Sequence, residues 1–263
     1  MQILTKDSTI TLYSEQFDEA YHCANDGALQ ETLHKHILPA FTLKKENKKL
    51  KVLDMCFGLG FNTLCLRYIA RKFGFKGEIN VYSPEIDSTL LLRLLTHPYP
   101  KELESLAIIK ALQKEQEYCE KGFSVKLCFG DAREILEGFL KNGNGAFDVI
   151  FQDPFSPLKN PSLWTYEYFK ILYALSSKEV IITTYSHNSC MLYSAFLAGF
   201  YAFKLQQISV RDSIVLTKNA KLPNIESDNV VNITAINIAH KIKTNPKLRG
   251  LYDLKCAITH LSR

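Results

Sequence analysis

The sequence predicts an α/β protein built on a mostly parallel central sheet. Three observations point to this fold class. Short segments rich in β-branched and aromatic residues alternate with segments of helical periodicity, which is typical of βαβ units. Acidic residues recur just after successive predicted strands. The last two predicted strands are separated by only two residues, so they can close the sheet as an antiparallel hairpin.

Seven segments have the composition of strands, and each is short and bounded by polar or turn-forming residues. They are Val52–Cys56, Ile79–Ser83, Ser124–Phe129, Phe147–Gln152, Val180–Tyr185, Tyr201–Ile208 and Arg211–Thr217. Helical segments separate the first five, which are therefore expected to run parallel. We predict a seven-stranded sheet that ends in an antiparallel hairpin.

The predicted helices carry apolar residues at spacings of three and four. Asn160 followed by Pro161 is predicted to begin one of them, because proline is favoured at the first helical position. Two others are predicted for an early segment through Leu29, Leu33 and Ile37 and for the segment from about Asn188 to Gly199.

Two regions are longer than a minimal α/β unit requires. We expect a domain over residues 1–219, with an N-terminal hairpin and helix and a helical insert at about 88–122. Residues 220–263 are predicted to form a basic helical extension, with helices around 232–243 and 247–261.

The composition indicates a folded globular protein. Of the 263 residues, 46% are hydrophobic and 22% are charged, which excludes a disordered chain. No apolar run reaches the roughly 18 residues that a membrane-spanning helix needs, and the N-terminus lacks the apolar core of a signal peptide. We therefore expect a cytoplasmic protein without a membrane partner.

Charge and cysteine content narrow the possible partners. The net charge is +5, and positive residues concentrate in the lysine-rich run 44–51 and in the extension. Such runs are either solvated faces or sites for an acidic partner such as RNA. The seven cysteines include no C-x-x-C pair, so we predict reduced thiols and no metal site.

The first predicted strand leads into a glycine-containing loop and then a helix. Gly58 and Gly60 allow the backbone to turn tightly and to approach a ligand closely. The N-terminus of the following helix offers free N–H groups to an anionic group. A dinucleotide-binding fingerprint would have a third glycine at Thr63, so this loop does not match it.

Four acidic residues follow four successive strands, namely Asp54, Glu85, Asp131 and Asp153. In an open α/β sheet these strand ends line one crevice, so the four side chains are expected to converge. A ligand that carries an amine, a ribose and an adenine would use such a set. Each acid also has a structural interpretation, as a helix cap or in a turn.

Three stretches resemble the methyltransferase domain of MnmC, a tRNA wobble-uridine modification enzyme. The most specific is the string D-P-F-S-P-L-K-N-P-S-L-W-T from Asp153 to Thr165. The others are segments 12–29 and Phe57–Asn62, and the resemblance covers roughly residues 9–217. Members of the family commonly have Glu where Asp54 stands and Gly where Pro154 stands.

The resemblance implies a Rossmann-like class I fold that uses S-adenosyl-L-methionine as cofactor and tRNA as partner. It does not include the flavin-dependent oxidase domain of the bifunctional members, so we expect a stand-alone form. It also implies site residues of three kinds. These are cofactor-binding Tyr13, Asp54, Gly58, Gly60, Asn62, Glu85, Asp131 and Ala132, catalytic Asp153 and Phe155, and substrate-contacting Lys159, Trp164 and Tyr185.

The leading hypothesis is an N-methyltransferase that acts on the aminomethyl group of 5-aminomethyl-(2-thio)uridine at the tRNA wobble position. One alternative is an aminopropyltransferase of the polyamine synthase type, which uses decarboxylated S-adenosylmethionine on a related fold. Another is a catalytically silent RNA-binding protein with the same fold. Preference for the decarboxylated cofactor would favour the first alternative, and failure to bind the cofactor would favour the second.

Overall fold

The computed structural model describes residues 1–225 and 228–253. A small antiparallel sheet comes first, with strands β1 (Gln2–Leu4), β2 (Ile10–Ser14) and β3 (Glu19–Ala20). The strands of the large central sheet follow. They are β4 (Lys49–Met55), β5 (Glu78–Glu85), β6 (Glu117–Glu120), β7 (Phe123–Phe129), β8 (Phe147–Gln152), β9 (Ser176–Thr184), β10 (Tyr201–Gln207), β11 (Ser213–Thr217) and β12 (Val230–Ala235).

Within the described residues the central sheet has nine strands in the order β12-β10-β11-β9-β8-β4-β5-β7-β6. The five strands from β9 to β7 run parallel, and β10 and β11 form the antiparallel hairpin. The predicted α/β fold class is confirmed, and all seven predicted strands are present. The prediction missed β6 and β12, which pair antiparallel with β7 and β10 at the two edges.

Helices cover both faces of the sheet. They are α1 (Ala28–Glu31), α2 (Leu38–Lys44), α3 (Phe61–Lys72), α4 (Leu90–Leu94), α5 (Ser105–Glu115), α6 (Ala132–Lys141), α7 (Tyr166–Leu175), α8 (Ser189–Leu197) and α9 (Ile238–Thr244). A π-helical turn, Thr32–Ile37, joins α1 to α2. One apolar cluster packs α3 and the 88–122 region on one face, and a second packs α7 and α8 on the other.

The predicted helix start at Asn160 was wrong. A 3₁₀ turn occupies Pro161–Leu163, and α7 begins after Thr165, whose Oγ1 accepts the Tyr168 N–H at 3.2 Å. The indole of Trp164, between these two elements, is fully buried and donates its N–H to the Phe155 carbonyl at 2.9 Å. Because the Trp164 indole is fixed in this way, the residues before α7 stay in a turn and the helix begins later than predicted.

The segment after β11 also differs from prediction. Residues 230–235 form an edge strand on β10, although a helix was expected around 232–243, and the helix is limited to α9. Residues 247–253 are not helical; Lys255 and the rest of that expected helix lie outside the described residues. Pairing with the free edge of β10 supplies backbone partners that outweigh the helical pattern.

This segment packs on the body of the protein through Leu251 and Asp253. The Leu251 carbonyl accepts the Tyr166 N–H at 2.7 Å, and the Asp253 carboxylate pairs with both terminal nitrogens of Arg133 at 2.7 Å. The described part of the predicted extension is thus continuous with the sheet and helices of the main domain.

A buried ion pair network connects the N-terminal segment to the sheet. Lys35, in the π-helical turn, is 1% exposed, and its Nζ lies 2.6 Å from Asp26 and 2.8 Å from Glu31. Asp26 also accepts from Arg211, which precedes β11, at 3.0 Å. Removing one member of such a network leaves uncompensated charge in the interior.

Lys35→Met should therefore lower the free energy of unfolding by about 3–5 kcal/mol, because two buried carboxylates lose their shared cation. Urea denaturation at pH 7 measures this change. Lys49→Met is the control, since Lys49 pairs with Glu78 at 3.7 Å on the surface and should contribute less than about 1 kcal/mol. Equal effects of the two substitutions would contradict the importance of the buried network.

Candidate active site

A cavity of about 760 Å³ opens at the carboxyl ends of the parallel strands β4, β5 and β8. Segments from the small N-terminal sheet and from the loops after β7 and β9 complete its wall. Of the predicted site residues, eight line this cavity. They are Tyr13, Gly58, Glu85, Asp131, Ala132, Asp153, Phe155 and Tyr185.

The loop after β4 forms part of the cavity floor. Gly58 and Gly60 have φ angles of 53° and 76°, a left-handed backbone that glycine adopts without strain. The Gly58 N–H donates to Oε2 of Glu85 at 2.8 Å, which ties the loop to the end of β5. A Cβ on Gly60 would lie 2.7 Å from the Phe57 ring, so this position requires glycine.

Glu85 presents a fixed carboxylate to the cavity. Its second oxygen, Oε1, accepts the Asp87 N–H at 2.9 Å. Burial raises the pKa of Glu85 above its ordinary value, although backbone donors from Asp87 and Gly58 oppose the shift. Each oxygen keeps a lone pair that can accept from a ligand hydroxyl.

Asp131 combines two of the roles expected for it. Its Oδ1 accepts the backbone N–H groups of Arg133 and Glu134 at 2.9 and 3.2 Å, which caps the start of α6. Asp131 and Ala132 also line the cavity beyond the end of β7. The structural interpretation of this acid therefore applies, and it leaves the side chain at the cavity wall.

Three residues predicted to bind the cofactor lie behind the cavity wall. Asp54 is fully buried and accepts from Asn62 at 3.2 Å and from Thr63 at 2.7 Å. Gly60 and Asn62 are buried as well, and none of the three lines the cavity. The expected direct contact with the cofactor is therefore not seen for these three residues. Asp54 is turned toward the start of α3, and Gly60 and Asn62 shape the loop from behind the cavity wall.

The two carboxylates of β4 and β8 have different environments. Burial, followed by the charge of Asp153, raises the pKa of Asp54 to about 7 against hydrogen bonds from Thr63 and Asn62. Burial also opposes ionisation of Asp153, but interactions with His36, His22 and Asn62 together outweigh it, and the pKa of Asp153 lies below its ordinary value. Asp153 is therefore the more fully ionised member of the pair at neutral pH.

His36 was missed by the sequence analysis. Its Nε2 lies 3.3 Å from Oδ1 of Asp153, while the Nδ2 amide of Asn62 donates to Oδ2 at 3.0 Å. His36 belongs to the π-helical turn, and such turns are frequent at functional sites. Nothing in the sequence spacing connects this helical histidine to an acid at the end of β8.

An aromatic cluster closes one side of the cavity. Phe155 stacks on Phe17 with ring centroids 4.6 Å apart, and Tyr21 lies 5.0 Å from Phe155. The carboxylate of Glu19 accepts from the N–H and hydroxyl of Ser156 at 3.0 and 2.8 Å. These contacts hold the segment after β2 against the loop after β8.

The three residues predicted to contact the substrate lie in different positions relative to the cavity. Tyr185 lines the cavity, and its hydroxyl donates to the Pro154 carbonyl at 2.9 Å. Trp164 is fully buried, so its indole supports the Phe155 carbonyl and does not reach a ligand. Lys159 does not line the cavity, and its Nζ is paired with Asp18. The predictions for Trp164 and Lys159 are corrected accordingly.

Comparison with known proteins agrees with this geometry. Residues 97–218 match a family model described as S-adenosyl-L-methionine-dependent methyltransferase. The crystal structure of MnmC2 from Aquifex aeolicus superposes with a TM-score of 0.77 at 27% identity, over 97% of this chain and 79% of that one. The chain is therefore similar to S-adenosylmethionine-dependent methyltransferases and to MnmC2. The predicted resemblance and the Rossmann-like fold are thus confirmed.

Two curated relatives are similar to most of this chain. An uncharacterized protein of Methanocaldococcus jannaschii is 28% identical over 86% of this chain and 61% of its own length. The tRNA 5-methylaminomethyl-2-thiouridine biosynthesis bifunctional protein MnmC of Pseudomonas syringae is 26% identical over 71% of this chain and 30% of its own length. The chain therefore spans less than two thirds of the length of either relative.

The match to S-adenosyl-L-methionine-dependent methyltransferases implies S-adenosyl-L-methionine as the cofactor, and the cavity residues fit it. Gly58 lines the cavity without a side chain, so a ligand can lie close to the loop backbone. Glu85 offers acceptors for the two ribose hydroxyls, and Asp131 with Ala132 stands at the next strand end for the adenine.

No helix in residues 1–225 or 228–253 is both long enough and apolar enough to cross a bilayer. Within the same residues, no three potential ligands among His, Cys, Asp and Glu come together as a candidate metal site.

Glu85→Ala should weaken S-adenosylmethionine binding roughly ten- to a hundred-fold, because charge-assisted bonds of about 1.5–3 kcal/mol are lost. Isothermal titration calorimetry measures the dissociation constant. Asp87→Ala is the matched control, since Asp87 also lines the cavity but its Oδ1 accepts from Thr89. A strong effect of Asp87→Ala with none of Glu85→Ala would reassign the ribose contact.

Proposed function

We propose that this chain transfers a methyl group from S-adenosylmethionine to the aminomethyl nitrogen of 5-aminomethyl-(2-thio)uridine at the wobble position of tRNA, in the cytoplasm. The observation that supports this most is the carboxylate of Asp153. It lies in the cavity wall, with a lowered pKa, at the strand end beside the cofactor loop. The name of the MnmC relatives supplies the nucleoside.

The chemistry requires a neutral amine, although an aliphatic amine is mostly protonated at pH 7. The cofactor supplies an electrophilic methyl group on a sulfonium. One proton leaves the substrate ammonium, the nitrogen lone pair forms the new C–N bond, and the electron pair of the broken C–S bond goes to sulfur. The nitrogen then carries the positive charge until it loses a second proton to solvent.

Asp153 suits the placement of this nitrogen. An ionised carboxylate can accept an N–H bond, align the lone pair with the methyl group and stabilise the ammonium that forms. Its depressed pKa makes it a poor base, so its main contribution is electrostatic. The substrate ammonium then loses its first proton to solvent, and the rate should rise with pH because the neutral amine becomes more abundant.

The aromatic cluster provides a surface for the base. One face of Phe155 is covered by Phe17, while Tyr21 and Tyr185 lie on the cavity wall nearby. A flat pyrimidine can stack on such rings, as bases flipped out of a nucleic acid do in other enzymes. The cavity could thus admit a single extruded wobble base.

Exposed cations near the C-terminal part of the described chain support an RNA partner. Lys241 and Lys243 lie on α9, and Lys247 and Arg249 follow it, in a segment continuous with the β10 edge. Lys159 contributes less positive charge for an RNA partner than its position suggested, because its ammonium group is already paired with Asp18. Phosphate contacts made by the first group would position the tRNA without reading its sequence.

Asp153→Asn should lower kcat with aminomethyl-tRNA by about a hundred-fold or more, because size is kept while the charge facing the developing ammonium is lost. Nucleoside mass spectrometry of the product gives the rate. Asp148→Asn is the control, since Asp148 lies on the same strand and accepts the Lys51 N–H at 3.0 Å. Wild-type turnover by Asp153→Asn would reject the assigned role.

An aminopropyltransferase assay and binding measurements separate the proposed function from its alternatives. Aminopropyl transfer with decarboxylated S-adenosylmethionine would indicate a polyamine synthase activity. Binding of tRNA without any cofactor binding would indicate a silent RNA-binding protein.

The triple substitution of Lys241, Lys243 and Lys247 by Gln should flatten the salt dependence of tRNA binding by about one unit of log–log slope per lost phosphate contact. Filter binding between 50 and 200 mM salt is a suitable measurement. The control is the triple substitution of Lys110, Lys114 and Lys121, which are exposed in the 88–122 region. An unchanged slope in the first variant would contradict an RNA role for this segment.

A further inference from the structure

His36 is placed as a support for Asp153. The imidazole is fully buried, and its two nitrogens face different strand ends. Nε2 lies 3.3 Å from Oδ1 of Asp153, and Nδ1 lies 3.0 Å from the hydroxyl of Thr183 on β9. Within residues 1–225 and 228–253, Nε2 has no partner with standard hydrogen-bond geometry, and the Asp153 carboxylate is the group that lies at ion-pair distance from it. The carboxylate with which His36 interacts is therefore that of Asp153, at the cavity.

The ring of His36 is held in place on several sides. Phe151 packs edge-on against it, with ring centroids 6.2 Å apart and planes 80° apart. Phe151 and Thr183 are paired neighbours in the parallel β8–β9 ladder. The same two strands that carry Asp153 and the Nδ1 partner thus also fix the ring plane, so the direction of Nε2 is set by the sheet.

Asp153 needs this support because its burial and the neighbouring Asp54 carboxylate both oppose a charge on it. Asn62 donates to it but shares that amide with Asp54, whose carboxylate repels it. The titratable groups that face Asp153 are His36, His22, Asp54, Cys56 and Tyr185. Among them, only the imidazoles can supply positive charge, and the His22 ring nitrogen Nδ1 lies 3.1 Å from the Thr11 hydroxyl.

We infer that His36 is a positioning residue, which fixes the orientation of Asp153 and keeps it ionised through Nε2 while Thr183 holds Nδ1. The inference rests on the proposed function, because it concerns the carboxylate that receives the acceptor amine. His36 itself is separated from the cavity by Asp153 and does not touch the substrate. Its effect is expected on turnover and its pH dependence, not on cofactor affinity.

The test compares His36→Leu, His36→Gln and wild type in kcat with aminomethyl-tRNA from pH 5 to 9. In wild type, log kcat should rise with slope one throughout this range while only the amine titrates, because the change to slope two at the pKa of Asp153 lies below pH 5. His36→Leu should reduce kcat up to about a hundred-fold. Its change of slope should move up by about one to three pH units, because the favourable partner of Asp153 is lost.

His36→Gln tests rescue, because its amide can donate from nearly the position of Nε2 without a charge. We expect kcat within about tenfold of wild type and a smaller shift of the slope change. His97→Gln is the matched control for loss of a buried imidazole, since His97 packs on Tyr99 and Phe61 and no described carboxylate pairs with it. This control should leave the slope change where it is in wild type.

Thr183→Val covers the case in which His36→Leu does not fold. Valine keeps the volume but removes the Nδ1 partner, so kcat should fall by less than in His36→Leu while calorimetry gives the wild-type dissociation constant for S-adenosylmethionine. Wild-type kcat and an unmoved slope change in the His36 variants and Thr183→Val would overturn the inference while the proposed function stands. An inactive wild-type protein on aminomethyl-tRNA would instead reject both.

Discussion

The side-chain amide of Asn62 joins the two acids on which the site depends. From the first turn of α3 it donates to Asp54 at 3.2 Å and to Asp153 at 3.0 Å, at the ends of adjacent parallel strands. Two carboxylates so close in a buried place cannot both ionise freely. The surroundings of the pair therefore decide which one carries the charge.

The protein separates the two acids by environment. Asp54 is fully buried under the glycine loop, and its pKa is raised to about 7, so that it serves mainly to hold the start of α3. Asp153 has His36 on one side and the cavity on the other, and its pKa is lowered. Divergent pKa values in a pair of neighbouring acids are typical of active sites, in which each acid has a separate task.

The N-terminal segment, although outside the central sheet, is required to complete the cavity. It contributes Phe17 and Glu19, which contact the loop after β8, and Lys35, which neutralises Asp26 and Glu31 in the interior. The stability of this segment and the shape of the acceptor side are consequently linked. A substitution that loosens the buried ion network should also disturb the wall that faces the base.

The sequence alone determined the α/β fold class, the seven main strands, and the convergence of Glu85, Asp131 and Asp153 at one edge. Side-chain periodicity is a local property of the sequence, and parallel strands place their carboxyl ends at the same edge of the sheet. Tertiary structure alone decided the strand β12, the burial of Trp164, and the pairing of His36 with Asp153. Each of these depends on contacts between residues far apart in the chain. The partner of an open strand edge, an internal void or a buried charge is the group that lies next to it in the folded protein. The spacing of residues in the sequence does not show which group that is.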